Sequence, residues 1–185
     1  MKIRYVLTLL GYLTLLAGFP SCENSLKSED DFFSEGVIAV SVNNEFKVAP
    51  KAKLIEIARK SVSEMYMGTE VHKIEVIEAQ VAQNGMYRYL FASAVKDGTK
   101  LSVAIELVAH KPEANTEKAS IFSFASTRDQ VSYLYMPGEK HSCAGNNCSS
   151  CSFEKDREGK IIGCTCSSTG SMMGGSSYCN HTIST

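Results

Sequence analysis

The stretch VHKIEVIEAQVAQNGMYRYLFASAVKDGTKLSVAIELVAH, residues 71–110, decides the fold, because it contains three strand-like runs in succession. The first two runs are separated by a loop containing Asn84-Gly85, and the second and third by one containing Asp97-Gly98. Both dipeptides are strong signals for a β-hairpin turn. Large apolar residues occupy every second position from Leu101 to Leu107, which indicates that one face of the sheet is buried. The stretch therefore predicts an antiparallel meander of three strands.

A helix is predicted before this meander. Pro50 suits the first turn of a helix, and the apolar residues after it recur at helical spacing, at Leu54, Ala58, Val62 and Met65. The run 37–42 predicts a leading strand, and the runs 120–126 and 131–136 predict two more after the meander. We therefore expect an α+β domain over 37–136, with one long helix packed on a four- to five-stranded antiparallel sheet.

This order of elements resembles the cystatin fold, most closely in the segments 79–108 and 110–122. Cystatins inhibit papain-like cysteine proteases with an N-terminal glycine, a first hairpin of the form Gln-x-Val-x-Gly and a second hairpin carrying Pro-Trp. The resemblance implies a partner-binding wedge made of Gly36, Gln80, Val81, Ala82, Gln83, Asn84 and Gly85. The chain has no Trp, and Gly85 comes one residue later than the motif's glycine. An ordinary hairpin turn is the other interpretation of this segment.

The first 22 residues, MKIRYVLTLLGYLTLLAGFPSC, indicate export. Lys2 and Arg4 precede an apolar run that ends at a small residue, Ser21, beside Cys22. This order is typical of a secretory signal peptide, and the run is short for a membrane span. The cysteine resembles the lipobox of Gram-negative lipoproteins, which implies removal of residues 1–21 and acylation of Cys22 with fatty acids such as palmitate. An ordinary cleaved leader with a free Cys22 fits the same residues.

The resemblance to lipoproteins implies a location. We expect a protein anchored to the bacterial outer membrane through its acylated Cys22, facing the periplasm or exposed on the cell surface. The segment 22–36 is polar and acidic and predicts a flexible tether between lipid and domain. Within it, Glu29, Asp30 and Asp31 resemble the surface-export signal of some lipoproteins, although a solvated linker has the same composition.

The charge of the mature chain argues against a nucleic-acid partner. The 19 basic residues fall to 17 when Lys2 and Arg4 are removed, against 20 acidic residues. No basic run or basic stripe interleaved with aromatic residues is present, so the electrostatic signature of a phosphate-binding surface is missing. We therefore expect no nucleic acid among the partners.

Residues 137–185 form a tail rich in Ser, Gly and Cys. Its six cysteines are Cys143, Cys148, Cys151, Cys164, Cys166 and Cys179. The spacing of the first three resembles the cluster-binding loop of plant-type ferredoxins, but export of an unfolded chain argues against a preassembled iron–sulfur cluster. An even number of cysteines outside the cytoplasm predicts three disulfides. The alternative is a zinc site made by Cys148, Cys151, Cys164 and Cys166.

One disulfide is predicted individually. The runs 151–155 and 160–164 flank the polar turn 156–159, which indicates a small hairpin. A four-residue turn places Cys151 directly opposite Cys164, where the β-carbons are close enough for a bridge after a modest adjustment. We therefore predict a Cys151–Cys164 disulfide.

The chemical motifs of common enzymes are missing from the sequence. No Ser-His-Asp or Cys-His pairing and no Gly-rich phosphate loop present themselves. We therefore expect a non-enzymatic, lipid-anchored binding protein of the envelope or cell surface, with a protein or peptide partner and no cofactor. Inhibition of a cysteine protease is a specific version of this hypothesis. The alternative is a C-terminal zinc-binding or thiol redox module.

Overall fold

The computed structural model describes residues 33, 36–67, 73–112, 131–167 and 177–185. Strands account for 65% of these residues and helix for 13%. The elements are β1 (Ala39–Val42), β2 (Glu45–Val48), α1 (Lys51–Met65), β3 (Ile74–Asn84), β4 (Tyr87–Lys96), β5 (Thr99–His110), β6 (Val131–Asn146), β7 (Ser150–Lys155), β8 (Ile161–Ser167) and β9 (Tyr178–Ser184). No helix within these ranges is long and apolar enough to cross a bilayer.

Seven strands form the main sheet, in the order β2-β1-β6-β5-β4-β3, and β9 also pairs with β6. All of these pairings are antiparallel. β6 is the longest strand, with 16 residues. β5 runs along one side of it, while β1 pairs with the first part of its other side and β9 with the last part. β7 and β8 form a separate two-stranded sheet.

The three predicted strands of the meander are confirmed as β3, β4 and β5. Asp97 and Gly98, between β4 and β5, have φ of 49° and 83°, as a hairpin turn with two left-handed residues requires. A further hairpin joins β1 to β2. Its turn residues Asn43 and Asn44 have φ of 51° and 66°, a conformation that Asn tolerates better than most residues. β2 therefore extends the sheet beyond the single leading strand that was predicted.

The predicted helix is present and fills the concave side of the main sheet. Its buried residues include Leu54, Ala58 and Val62, and it packs against β3, β4, β5 and β6. The sheet curls strongly around it and forms a nearly closed barrel. The guanidinium carbon of Arg88 on β4 lies 4.7 Å from the ring centroid of Phe46 on β2, although three strands separate β4 from β2 in the sheet order.

The predicted fold class, one long helix on a four- to five-stranded cystatin-like sheet, is wrong. The helix has 15 residues, which is only about 22 Å at 1.5 Å per residue, and the surrounding structure is mostly strand and barrel-like. The difference arises because two further strands join the main sheet: β2, which was not predicted, and β9, which lies in the predicted separate tail. The predicted strand 120–126, the leader 1–21 and Cys22 lie outside the described residues.

Pro137 and Gly138, which were expected to end the domain, lie inside β6. Leu107 pairs with Pro137 and Ile105 with Lys140, so β6 contains one extra residue here and forms a β-bulge. Pro137 has no backbone N–H to donate. The position tolerates this because no strand pairs with that side of β6 there: β1 pairs with β6 only as far as Tyr135, and the pairing with β9 begins at Lys140. β6 therefore bends and changes partner at this point.

Candidate functional site

The β7–β8 hairpin lies on the outer face of the main sheet, opposite α1. Tyr89, Ala104 and Ile161 are each at most 2% exposed and form a small second core between the hairpin and the sheet. The rings of Phe91 and Phe153 extend this core, with centroids 6.1 Å apart. Side chains two positions apart on a strand share a face. The hairpin therefore packs against Tyr87, Tyr89 and Phe91, which lie on one face of β4.

Tyr89 also makes a polar contact across this second core. Its hydroxyl oxygen accepts a hydrogen bond from the backbone N–H of Ile161, at 3.1 Å. Burial raises the pKa of Tyr89 above its usual value, and the hydrogen bond from Ile161 partly opposes that rise. The phenol is therefore neutral at physiological pH and acts as a fixed acceptor for the hairpin backbone.

The six cysteines form three disulfides, as predicted, and two of these attach the hairpin to the main sheet. Cys143 on β6 is bonded to Cys164 on β8, with a Cα–Cα distance of 5.9 Å. The other two bridges are Cys148–Cys166 and Cys151–Cys179, with Cα–Cα distances of 5.8 and 6.0 Å. All three distances are within the usual range for a disulfide.

The predicted Cys151–Cys164 pair is wrong because the register of the hairpin differs by two residues. Cys151 lies opposite Cys166, and Phe153 lies opposite Cys164, with an irregularity between Glu154 and Lys155. Their side chains share the hairpin face that is turned toward the main sheet. Two of the bridges therefore connect the hairpin to the main sheet, and the third joins β8 to the segment between β6 and β7.

A groove runs between β7 and the outer face of β3, β4 and β5. Two adjoining cavities of about 320 and 670 Å³ form it, and they share Ser93, Ser102 and Cys151. The remaining polar and charged residues of its lining include Ser149, Ser150, Ser152, Glu78, Gln80, Lys100 and Lys155. Its larger apolar residues are Ile77, Phe91 and Phe153. These volumes are typical of ligand-binding clefts.

β7 forms one wall of this groove with its free edge. Within the described ranges, β7 pairs with β8 alone. The cavities are lined by β7 residues and by none of β8, so the edge of β7 that faces away from β8 borders the groove. The Ser102 hydroxyl donates a hydrogen bond to the Cys151 carbonyl oxygen at 3.0 Å, which holds β7 in place above the sheet.

A β-bulge in β3 shapes the opposite wall. Val76 pairs with Ala94 and Glu78 pairs with Ser93, so Ile77 is the extra residue between them. Its side chain is 60% exposed and lines the larger cavity. Bulges redirect a side chain that regular pairing would place elsewhere. An exposed aliphatic side chain therefore projects at the rim of the groove.

The tip of the β3–β4 hairpin, which contains the predicted protease wedge, is bound to the turn of the β7–β8 hairpin. The Asn84 side chain donates to the Gly159 carbonyl oxygen at 2.6 Å, and the Met86 N–H donates to the Glu158 carbonyl oxygen at 2.9 Å. Gly85 has a φ of +59°, and a Cβ atom on it would clash with the Glu158 carbonyl group. The two turns therefore form one continuous surface, and Asn84 and Gly85 take part in an internal contact.

Of the remaining wedge residues on β3, Gln80 is exposed and lines the groove. Gln83 is exposed, and its side-chain N–H donates to the Gly85 carbonyl oxygen at 3.1 Å. Val81 is half-buried and packs against the main core, while Ala82 is half-buried opposite β4. These side chains point in different directions because neighbouring residues of a strand alternate between its faces.

Gly36, the remaining residue of the predicted wedge, precedes β1 and lies beside β6. A Cβ atom added to it would lie 3.7 Å from the terminal methyl of Met136 on β6. Strands β5 and β4 lie between β6 and β3 in the sheet. The part of Gly36 in the predicted wedge therefore stays a prediction.

A buried histidine pair, which the sequence reasoning did not identify, joins β6 to β9. His141 is completely buried, and its Nδ1 lies 3.2 Å from Nε2 of His181. The rings are stacked, with an angle of 11° between them. Nε2 of His141 lies 3.2 Å from a carboxylate oxygen of Glu139, although the two are not aligned as a hydrogen bond. No local sequence signal links residues 40 positions apart.

The histidine pair has an electrostatic consequence. Burial lowers the pKa of His141, and the electrostatic effects of His181 and Lys160 act in the same direction. Glu139 opposes this decrease, and its other carboxylate oxygen lies 4.0 Å from Nζ of Lys160, beside the β7–β8 turn. His141 is therefore held as a neutral ring inside a charged network.

The predicted zinc ligands are not grouped as expected. The Sγ atoms of Cys148, Cys166 and Cys179 all lie within 4.8 Å of one another, whereas Cys164 is bonded to Cys143. Zinc binds thiolates, and these sulfurs are in disulfides, so a thiolate site requires their reduction. The only group of this kind among the described residues therefore contains two of the four predicted ligands, Cys148 and Cys166, together with Cys179.

The chain matches no protein-family model, and no curated protein or solved structure is detectably similar to it. A function for this chain therefore rests on three of its own features: the groove, the hairpin that covers it and the disulfides.

Proposed function

We propose that this protein is a lipid-anchored, non-enzymatic binding protein of the bacterial outer membrane that holds an extended peptide segment of a partner protein in the groove beside β7. The leader and Cys22 support the location, as argued from the sequence. The three disulfides support it as well, because such bonds persist in the periplasm and on cell surfaces and are rare in the cytosol.

The free edge of β7 is the single observation that carries the proposal. A strand edge that pairs with no other strand presents a row of N–H and C=O groups, and an extended peptide satisfies them by adding as a further strand. On β7 the Cys151 carbonyl oxygen already accepts from Ser102, so the peptide pairs with the other groups of this edge. β7 has six residues, or about 20 Å at 3.3 Å per residue, so it accommodates a peptide of about the same number of residues. The groove supplies the space for this peptide above the outer face of the main sheet.

The lining of the groove fits peptide binding better than catalysis. Its five serines, Ser93, Ser102, Ser149, Ser150 and Ser152, both donate and accept hydrogen bonds. No histidine lines the described part of the groove, so these hydroxyls have no imidazole base beside them. Ile77, Phe91 and Phe153 provide apolar contacts for alternate side chains of an extended peptide.

Inhibition of a papain-like protease stays a prediction and is the narrower version of this proposal. Gln83 and Met86 are exposed at the β3–β4 tip, Met86 to 73%. The side chain of Asn84 and the N–H of Met86 already bind the β7–β8 turn. The groove is therefore the preferred site.

The test uses purified, oxidised residues 23–185, a display library of random peptides and two matched variants. Ile77 and Ile162 are exposed to 60% and 55%, but only Ile77 lines the groove. We expect selected peptides to lose at least about tenfold in affinity with Ile77→Arg, which is about 1.4 kcal/mol, and to bind Ile162→Arg as they bind the unmodified protein. Bound peptide should also slow hydrogen exchange of the β7 amides. Equal binding to both variants, or protection confined to other strands, would overturn the proposal.

A further inference from the structure

Two of the three disulfides are in direct contact. Sγ of Cys148, which is bonded to Cys166, lies 3.7 Å from Sγ of Cys179, which is bonded to Cys151. This distance is close to van der Waals contact between two sulfur atoms. We call Cys148, Cys151, Cys166 and Cys179 the four-cysteine cluster.

A second set of pairings is available to the four-cysteine cluster. Cys151 and Cys166 are directly opposite each other in the antiparallel β7–β8 hairpin. Opposed Cα atoms in such a pair lie about 4.5 or 5.5 Å apart, and both values are within the range that a disulfide spans. The remaining two sulfurs are those of Cys148 and Cys179, which are already in contact. The same backbone therefore accommodates Cys148–Cys179 together with Cys151–Cys166.

We propose that the four-cysteine cluster is a thiol–disulfide exchange centre that moves between these two pairings. Exchange begins when a low-molecular-weight thiolate attacks Sγ of Cys166. The Cys148–Cys166 bond breaks, a mixed disulfide forms on Cys166, and the electron pair leaves on Cys148. The thiolate of Cys148 then attacks Sγ of Cys179, and the Cys151–Cys179 bond breaks with its electron pair on Cys151.

The last step regenerates the thiolate that began the sequence. Cys151 attacks Sγ of Cys166 across the hairpin and releases the small thiolate from the mixed disulfide. Two disulfides are present before and after, so no net oxidation or reduction occurs. The small thiol acts only as a catalyst.

The surroundings of the four-cysteine cluster favour this exchange. All four of its cysteines are half-buried, so a small thiolate reaches them. Gly145 provides the space, because an added Cβ atom there would lie 3.2 Å from Cβ of Cys148 and 3.3 Å from Sγ of Cys151. Cys143, by contrast, is 1% exposed, so a small thiolate does not reach its side of the disulfide to Cys164. The third disulfide is therefore separated from the exchange.

Single cysteine variants of the mature protein test each step, because each leaves one free thiol at a known position. In Cys166→Ser the free thiol is Cys148, and we expect it to displace Cys151, which then reacts with iodoacetamide. In Cys148→Ser the free thiol is Cys166, and we expect it to bond to Cys151 and release Cys179. Cys164→Ser is the control, in which the free thiol should stay on Cys143. Peptide mapping without reduction identifies each bridge and each alkylated cysteine.

We expect the free thiol to have moved to its new position in at least about a tenth of the molecules of each variant. This fraction corresponds to a free-energy difference of about 1.4 kcal/mol between the two pairings. If the thiol stays on Cys148 and on Cys166 in the two variants, the proposal is overturned. Transfer into the Cys143–Cys164 bond in any variant overturns it as well. Should a variant fail to fold, the unmodified protein incubated with catalytic glutathione provides the readout. Appearance of Cys148–Cys179 and Cys151–Cys166, with Cys143–Cys164 intact, supports the proposal, and an unchanged pattern rejects it.

Discussion

The hydroxyl oxygen of Tyr89 accepts a hydrogen bond from the backbone N–H of Ile161 at 3.1 Å, inside the small core between the main sheet and the β7–β8 hairpin. The two residues are 72 positions apart in the chain. Tyr89 is completely buried and Ile161 is 2% exposed. This contact and the disulfides Cys143–Cys164 and Cys151–Cys179 fix the hairpin above the sheet, and the hairpin in turn creates the groove.

Tyr89→Phe is expected to lower the free energy of unfolding by about 1 to 3 kcal/mol, because the N–H of Ile161 loses its acceptor while it remains buried. Tyr87→Phe is the control, since Tyr87 is half-buried on the same face of β4. It should cost less than about 0.5 kcal/mol, as substitutions away from such buried contacts usually do. Denaturant unfolding of the oxidised proteins measures both values. An equal decrease in the free energy of unfolding for the two variants would show that the hydrogen bond does not hold the hairpin.

The contact between the two turns is tested by comparing Gly85→Ala with Gly98→Ala. Both glycines have positive φ, at +59° and +83°, so both substitutions strain the backbone by about 1 to 2 kcal/mol. Only at Gly85 does the added Cβ atom meet another segment, the carbonyl group of Glu158, whereas Gly98 has open space around it. Gly85→Ala should therefore be less stable than Gly98→Ala by at least about a further 1 kcal/mol. Equal stabilities of the two variants would contradict the contact.

Acidification should weaken the fold through His141. Because burial lowers its pKa in the folded protein, the unfolded chain takes up a proton first as the pH falls through about 6.5. Stability is therefore lost below that pH, by at most about 1.4 kcal/mol per pH unit for one proton. The groups around the ring are Glu139, His181, Lys160 and Tyr89.

Unfolding free energies at pH 7.5 and 5.5 check this expectation. His141→Gln should lose less stability between the two values than the unmodified protein, because Gln does not take up a proton. His110→Gln should behave like the unmodified protein, since His110 is exposed on β5. The same loss in all three proteins would mean that His141 is not the group responsible.

The parts of the fold that were predicted correctly have local signals. Asn84-Gly85 and Asp97-Gly98 mark the turns of the meander, and the helix follows from apolar residues at a spacing of three to four. The β1–β2 hairpin had a weaker local signal, the pair Asn43-Asn44, whose left-handed conformation requires no glycine.

The remaining features depend on contacts between distant segments. Pro137-Gly138 has the composition of a domain boundary, yet it is the point at which β6 exchanges β1 for β9. The register of the β7–β8 hairpin differs from the predicted one by two residues, which led to the wrong disulfide. One residue of the difference arises because Lys155 pairs with Ile161 instead of Lys160, and the other because Ile162 is an extra residue before Gly163. The groove and the His141–His181 pair join strands that are far apart in the chain, so no local pattern predicts them.

The most direct test of the account is the disulfide map of the mature protein, because the groove and the exchange centre both require the hairpin to be bonded onto the sheet. The protein is alkylated at acid pH, digested without reduction and analysed by mass spectrometry. We predict Cys143–Cys164 in every molecule, with Cys148, Cys151, Cys166 and Cys179 bonded only among themselves and mainly as Cys148–Cys166 and Cys151–Cys179. A bridge between either of Cys143 and Cys164 and any of the other four, or six free thiols, would contradict the account.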